Sequence, residues 1–205
     1  MTLIIVILTC VISILTFYRQ EYFHKLQFNA YQVWHGKEYY RLISHGFIHA
    51  DWIHLAVNMI VLYSFGEVVE KWFAALAAKG YLHFPDLWFL ALYLFAIIFS
   101  SSITLFKEKD NPSYNAVGAS GAVSAVLFTS IFFSPISKIY FYGVLPVPGI
   151  VFGILYLVYS QYMSRKDLDN VNHDAHFLGA IFGFIYPLFI DLRLFNHFLS
   201  QLGLN

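Results

Sequence analysis

Three short patterns hold the residues of this chain that could do chemistry. Gly118-Ala119-Ser120-Gly121 sets a hydroxyl among small residues at the first turn of an apolar segment. A helix start carries N–H groups without internal partners and a partial positive charge. Donors of that kind suit the oxyanion that develops in acyl transfer. Alone the motif decides little, because small residues in apolar helices mostly serve close packing. The second pattern, His54-Leu55-Ala56-Val57-Asn58, puts an imidazole and a carboxamide four residues apart on one helix face. A structural hydrogen-bond pair and a pair of functional donors both fit it. The third opens at His173-Asp174-Ala175-His176 and continues through Gly179 to Gly183. Its three-then-four spacing puts His176 on the glycine face, which permits close approach of a neighbouring helix. Gly118, Gly121, Ala122 and Ala125 offer a matching small surface, and packing the two would set His176 beside Ser120. Asp174 is two residues from His176 and points elsewhere. A Ser-His pair is therefore a simpler assignment than a triad.

These patterns need elements to hold them, and composition says where those elements lie. The chain has 205 residues, of which 59% are hydrophobic and 12% charged. Soluble domains carry about 25% charged residues, so the excess of apolar surface points to a membrane protein. The formal net charge is zero and no basic run exists, which gives nucleic acid nothing to bind. Cys10, the single cysteine, lies in an apolar segment and can form no internal disulfide. No linker composition divides the chain, so residues 1–205 are expected to form one membrane domain.

Apolar windows fall at about residues 3–17, 52–72, 87–106, 117–133, 144–163 and 175–192. None shows the strict alternation of a barrel strand. The expectation is an all-α bundle of six transmembrane helices, several near the short end of the ~17–25 residues a bilayer helix needs. The first window lacks a basic leader and a small-residue cleavage site, so it reads as a helix of the bundle and not as a signal peptide. Between the first two windows, residues 18–51 mix Tyr22, Phe23, Tyr31 and Trp34 with Arg19, Lys25, Lys37 and Arg41. Aromatic and basic residues together favour the headgroup layer; a folded interfacial loop and a plain outer loop both fit. His45, His49 and Asp51 close it, either admitting water or bonding to backbone. Pro146 and Pro148 suit the first turn of the fifth helix, whose Phe152, Tyr156 and Tyr159 read as bulky contacts with lipid or neighbours.

Parity joins the three patterns. In a six-span bundle the second, fourth and sixth helices run the same way, so their N-terminal ends emerge on one side. His54 and Asn58, Ser120, and His176 all stand near those ends. A nucleophile, a base and two donors at one depth meet the needs of covalent acyl transfer.

With this set assembled, His54-x-x-x-Asn58, Gly118-x-Ser120-Gly121 and Ala175-His176-x-x-Gly179-x-x-x-Gly183 resemble the rhomboid family of intramembrane serine proteases. The resemblance runs from the first loop to the last helix. It implies that Ser120 is the nucleophile and His176 the general base, and that the backbone N–H of Ser120 with the side chains of His54 and Asn58 forms the oxyanion hole. Gly118, Gly121, Gly179 and Gly183 would support the site, and Arg41 would shape the first loop. It implies single-pass transmembrane proteins as substrates, cut in or beside the membrane, with a lateral opening near the second and fifth helices and a mobile cap over residues 164–172. No cofactor or metal is implied, and the expected place is a bacterial cell membrane with the site opening to the extracytoplasmic side.

The chain departs from that pattern in three places. The first loop reads Tyr40-Arg41 where the family often has Trp-Arg. Ser124 stands where many members carry an aromatic that supports the histidine, so the resemblance supplies no support for the His176 ring. Loops on the side of the site hold eight Lys/Arg (Arg19, Lys25, Lys37, Arg41, Lys107, Lys109, Arg165, Lys166) against four opposite (Lys71, Lys79, Lys138, Arg193), the reverse of the positive-inside bias. Two other classes compete: a non-catalytic rhomboid-like protein that binds transmembrane clients, and a metal or haem site suggested by nine histidines. The histidines inside the spans lack a clustered ligand set.

Overall fold

The computed structural model describes residues 1–141, 144–166 and 172–204. In chain order the helices are α1 (Thr2–Tyr18), α2 (Gln20–Leu26), α3 (Ala30–Trp34), α4 (Arg41–Ser44), α5 (Trp52–Ala78), α6 (Pro85–Ser100), α7 (Ser102–Glu108), α8 (Ser120–Phe133), α9 (Gly149–Lys166), α10 (His173–Ile185), α11 (Pro187–Ile190) and α12 (Leu194–Gln201). A 3-10 turn, His45–Phe47, follows α4. Two strands, β1 (Lys138–Phe141) and β2 (Leu145–Pro148), pair antiparallel between α8 and α9.

Burial runs opposite to that of a water-soluble helix. The buried residues of α1 are Thr2, Ile5, Thr9, Ser13 and Thr16, while Ile4 is 63% exposed and Leu3, Ile7, Leu8 and Val11 are also exposed. On α5, Ile53 is 78% exposed and Val57 and Ile60 lie outside with it. Lipid is the solvent that tolerates such a surface. Small and hydroxyl residues face inward because helices in lipid are held by close packing, without a hydrophobic drive. The residues Trp52–Ala78, Pro85–Glu108 and His173–Ile190 are long and apolar enough to cross a bilayer. Six spans were expected, several near the short end; among the described residues the other three apolar helices, Thr2–Tyr18, Ser120–Phe133 and Gly149–Ser164, are shorter, at 10–17 residues.

The short helix α8 is the hub, and its shortness has a physical reason. Its 14 residues rise only about 21 Å, against a hydrocarbon layer of about 30 Å. Every residue from Gly121 to Phe133 is buried, so other helices and not lipid surround it. Irregular backbone at either end is tolerable under such cover. Helices α5, α6 and α10 pack around it. Against α10 the approach is tightest: a Cβ added to Gly179 would lie 2.0 Å from the Gly121 carbonyl oxygen, and one added to Gly183 would lie 2.0 Å from that of Ala125. Only glycine allows this. Thr129 Oγ1 also donates to the Gly183 carbonyl at 2.7 Å.

Several expected boundaries shift. The third window breaks at Ser101 into α6 and α7, and the sixth bends at Tyr186 before Pro187, where proline removes a helix donor. Residues 145–148 join a hairpin and not the start of the fifth helix, which corrects the all-α expectation there. Pro146 and Pro148 are two residues apart and so point the same way along a strand, which lets both stay off the ladder of an outer hairpin. The first loop folds into α2, α3 and α4, tied by buried Arg41. Its Nη1 donates to the carbonyls of His24 at 2.9 Å and Gln27 at 2.7 Å. Its Nε donates to Glu38 and holds that carboxyl below the usual carboxylate range. Most of the loop expected to act as a cap, residues 167–171, lies outside the described residues.

Candidate active site

Ser120 opens α8 and is half-buried, preceded by Gly118 with φ of 118°. That backbone angle favours glycine, and space demands it too. A Cβ there would lie 2.6 Å from Cε1 and 2.8 Å from Nε2 of His54. The ring of His54 is thus pressed against the loop that presents Ser120. His54 itself is held at the start of α5, where its backbone N–H donates to Asp51 Oδ1 at 2.8 Å. Asn58 is buried one turn later, with Nδ2 donating to the His54 carbonyl at 2.9 Å.

On the far side, α10 brings His176 into the same region. Gly121 follows Ser120 directly, and it meets Gly179, one turn beyond His176. The carbonyl of Ala175 lies 3.3 Å from where a Gly121 Cβ would stand. Asn172 fixes the start of α10 by accepting from the Ala175 N–H at 3.0 Å. A second route closes the same geometry. Ser124, one turn after Ser120 on the same face of α8, lies with its Oγ 2.6 Å from the Tyr156 hydroxyl. The Tyr156 ring in turn stacks on the His176 ring, centroids 6.3 Å apart and planes at 23°. Asp174 is turned away, bound by Lys107 Nζ at 2.5 Å and by Ser164 Oγ.

A cavity of about 30 Å³ lies beside the serine, lined by Ser120, Gly121 and Ala175 together with the polar residues His45, Ser100, Ser101 and Asn172. About 10–15 Å³ of such space admits one water. Among the described residues no group of three or more His, Cys, Asp or Glu side chains is arranged to hold a metal ion.

Two further residues stand at the site, and for His49 the backbone bond, one of the two readings left open by the sequence, is the one found. His49, fully buried, accepts from the Ala119 N–H through Nε2 at 3.4 Å, and its ring meets that of His54 edge-on with centroids 4.9 Å apart. Burial, with His54 beside it, pushes its pKa down to about 3. The neutral imidazole keeps the lone pair that holds the serine loop. Its spacing five residues before His54 was visible, but no helix face links the two. Tyr156 is the other, read as bulk from a helix rich in aromatics.

A family model described as Rhomboid domain matches residues 36–192. The chain is similar to RHOMBOID-like protein 12, mitochondrial, of Arabidopsis thaliana, 27% identical over 154 residues, which cover 68% of this chain and 43% of that protein. It is also similar to Rhomboid-like protein 11, chloroplastic, of the same plant, 27% identical over 159 residues, 72% of this chain and 51% of the relative. The chain thus spans about half the length of these curated relatives. Their names place them in organelles, which lends no support to the bacterial membrane expected from resemblance.

Proposed function

The chain belongs to the rhomboid family, and from that premise we propose that it is an intramembrane serine endopeptidase. It cleaves single-pass membrane proteins in or near their transmembrane segment, with Ser120 and His176 as a catalytic pair in a six-crossing bundle. The observation that carries this reading is the contact of Gly179 with Gly121, which brings the starts of α8 and α10 to backbone distance.

In this reading Ser120 Oγ attacks the scissile carbonyl while His176 accepts its proton. The oxyanion forms at the start of α8, where the Ser120 N–H is without a helical partner. Side chains of His54 and Asn58 complete the set of donors. As the tetrahedral intermediate collapses, His176 returns the proton to the leaving amine, and a water then hydrolyses the acyl-enzyme. The polar cavity beside Ser120 supports such a supply of water. Asp174 has no part, because Lys107 and Ser164 engage it.

Fluorophosphonate labelling of the detergent-purified protein tests the assignment. The wild type should label and Ser120→Ala and His176→Ala should not, with helicity retained in all. A folded wild type that resists labelling would leave the protein a binder of transmembrane clients.

A further inference from the structure

Helix α9 presents Phe152, Tyr156 and Tyr159 at spacings of four and three, so all three rings lie on one helical face. That face meets α10. Phe152 and Tyr156 stack with centroids 6.1 Å apart and planes at 27°, and Tyr156 continues the column onto His176 at 6.3 Å and 23°. The ring of His173 meets His176 edge-on at 5.8 Å and 76°, and Tyr159 meets His173 edge-on at 5.7 Å and 83°. An imidazole on a helix can swing about its side-chain bonds, and each swing away from Ser120 removes the base from the reaction. Here the ring lies near-parallel and offset beside that of Tyr156 and near-perpendicular to that of His173.

Tyr156 is itself fixed by a bond across to α8. Its hydroxyl lies 2.6 Å from Ser124 Oγ, and Phe128 packs against its ring with centroids 5.6 Å apart. Ser124 is buried and small, and the space beside it is filled by the tyrosine arriving from α9. We propose that Tyr156 is a positioning residue for His176: its ring, hooked to α8 through Ser124, holds the imidazole in the rotamer that faces Ser120. The aromatic support comes from α9, and a small residue at Ser124 is the condition for its entry. Alignment of the base therefore depends on α9 staying seated against α8 and α10.

This inference rests on His176 as the base, so its test carries one readout that needs no catalysis. Four proteins are compared in detergent: wild type, Tyr156→Phe, Tyr156→Ser and the exchange Ser124→Tyr with Tyr156→Ser. An aromatic pair of this geometry is worth roughly a three- to tenfold effect. Tyr156→Ser is expected to slow fluorophosphonate labelling, and kcat on a transmembrane substrate, by that factor, with KM unchanged. Tyr156→Phe keeps the ring and most of the rate. The exchange regains rate over Tyr156→Ser by returning an aromatic from the α8 side. Independently, the His176 ring-proton resonances, assigned by their loss in His176→Gln, are expected to move downfield in Tyr156→Ser as the stacked ring is removed. Wild-type labelling rates in a folded Tyr156→Ser protein, or an unmoved His176 resonance, overturn the proposal. A wild type that never labels defeats the protease reading, while the resonance still decides the contact.

Discussion

Ser13 Oγ on α1 and His49 Nδ1 lie 3.0 Å apart in the buried interior. Ser13 donates its hydroxyl hydrogen to the Phe47 carbonyl at 3.0 Å, so at His49 it can only accept. Nδ1 therefore carries the proton, and Nε2 is left to accept from Ala119. A chain of hydrogen bonds thus runs from the first helix to the residue before Ser120. A neutral histidine of one tautomer is the link.

Removing that link should loosen the serine loop. His49→Ala leaves the buried Ala119 N–H without an acceptor, which costs about 1–3 kcal/mol. The expected result is a lower melting temperature together with a loss of labelling. Ser13→Ala, which frees the imidazole to adopt either tautomer, should cost less stability and a part of the rate. Equal labelling in wild type and His49→Ala would show that the loop holds itself.

Stability should fall as the medium is acidified. Burial lowers the pKa of His45 to about 4, and burial with the neighbouring His54 lowers that of His49 to about 3. In an unfolded chain both protonate near 6.5. Below that value, down to the folded values, the unfolded state binds more protons, so the free energy of unfolding decreases with decreasing pH. Melting temperatures in detergent, read from about pH 7 down to about pH 4.5, should drop steadily. The slope should be shallower in His49→Gln, and a slope identical to wild type would remove His49 as its source.

The contact between α8 and α10 should tolerate no added carbon. Gly183→Ala drives a Cβ to 2.0 Å from the Ala125 carbonyl oxygen and 2.5 Å from its carbon, both backbone atoms that cannot swing aside. The cost should exceed the ~1–3 kcal/mol typical of overpacking, and labelling should vanish. Gly153→Ala is the control, because there the nearest atom is 3.3 Å away on the Phe128 ring. A melting temperature in Gly183→Ala no lower than in that control would mean the two helices are not in such contact.

Asn58 offers a sharper discrimination. One amide hydrogen is engaged by the His54 carbonyl at 2.9 Å, and the amide carries a second. If the second acts at the oxyanion, Asn58→Ala lowers kcat by about 10²–10³ with little change in KM, the usual effect of losing one such donor. An unchanged kcat with a lower melting temperature would assign the side chain to bracing α5.

What could be read in advance was whatever local spacing encodes. The glycine face of Gly179 and Gly183, the four-residue pair His54 and Asn58, and the hydroxyl of Ser120 among small residues all follow from helical periodicity, and they stand on the helices expected. Interactions decided by tertiary arrangement were not readable. Tyr156 sits on a helix rich in aromatics, and no pattern distinguishes a ring bound for His176 from one bound for lipid. His49 lies in irregular backbone, where spacing has no face to refer to. Pro146 looked like a helix start because proline suits that position, yet pairing with Tyr140 across a hairpin prevailed. The break at Ser101 falls in the run Ser100-Ser101-Ser102, which is short enough for the apolar residues beyond it on either side to merge into one window.

The covering of α8 on every side has a consequence for how the protein is made. Ribosomes deliver Ser120 well before His176, and the glycines that seat the later helix emerge later still. Until then the earlier helix is too short to be at home in lipid and has a bare groove where its neighbour belongs. A nascent chain thus carries Ser120 without the partner proposed for it, and the pocket is completed only when the last apolar segment slides into place.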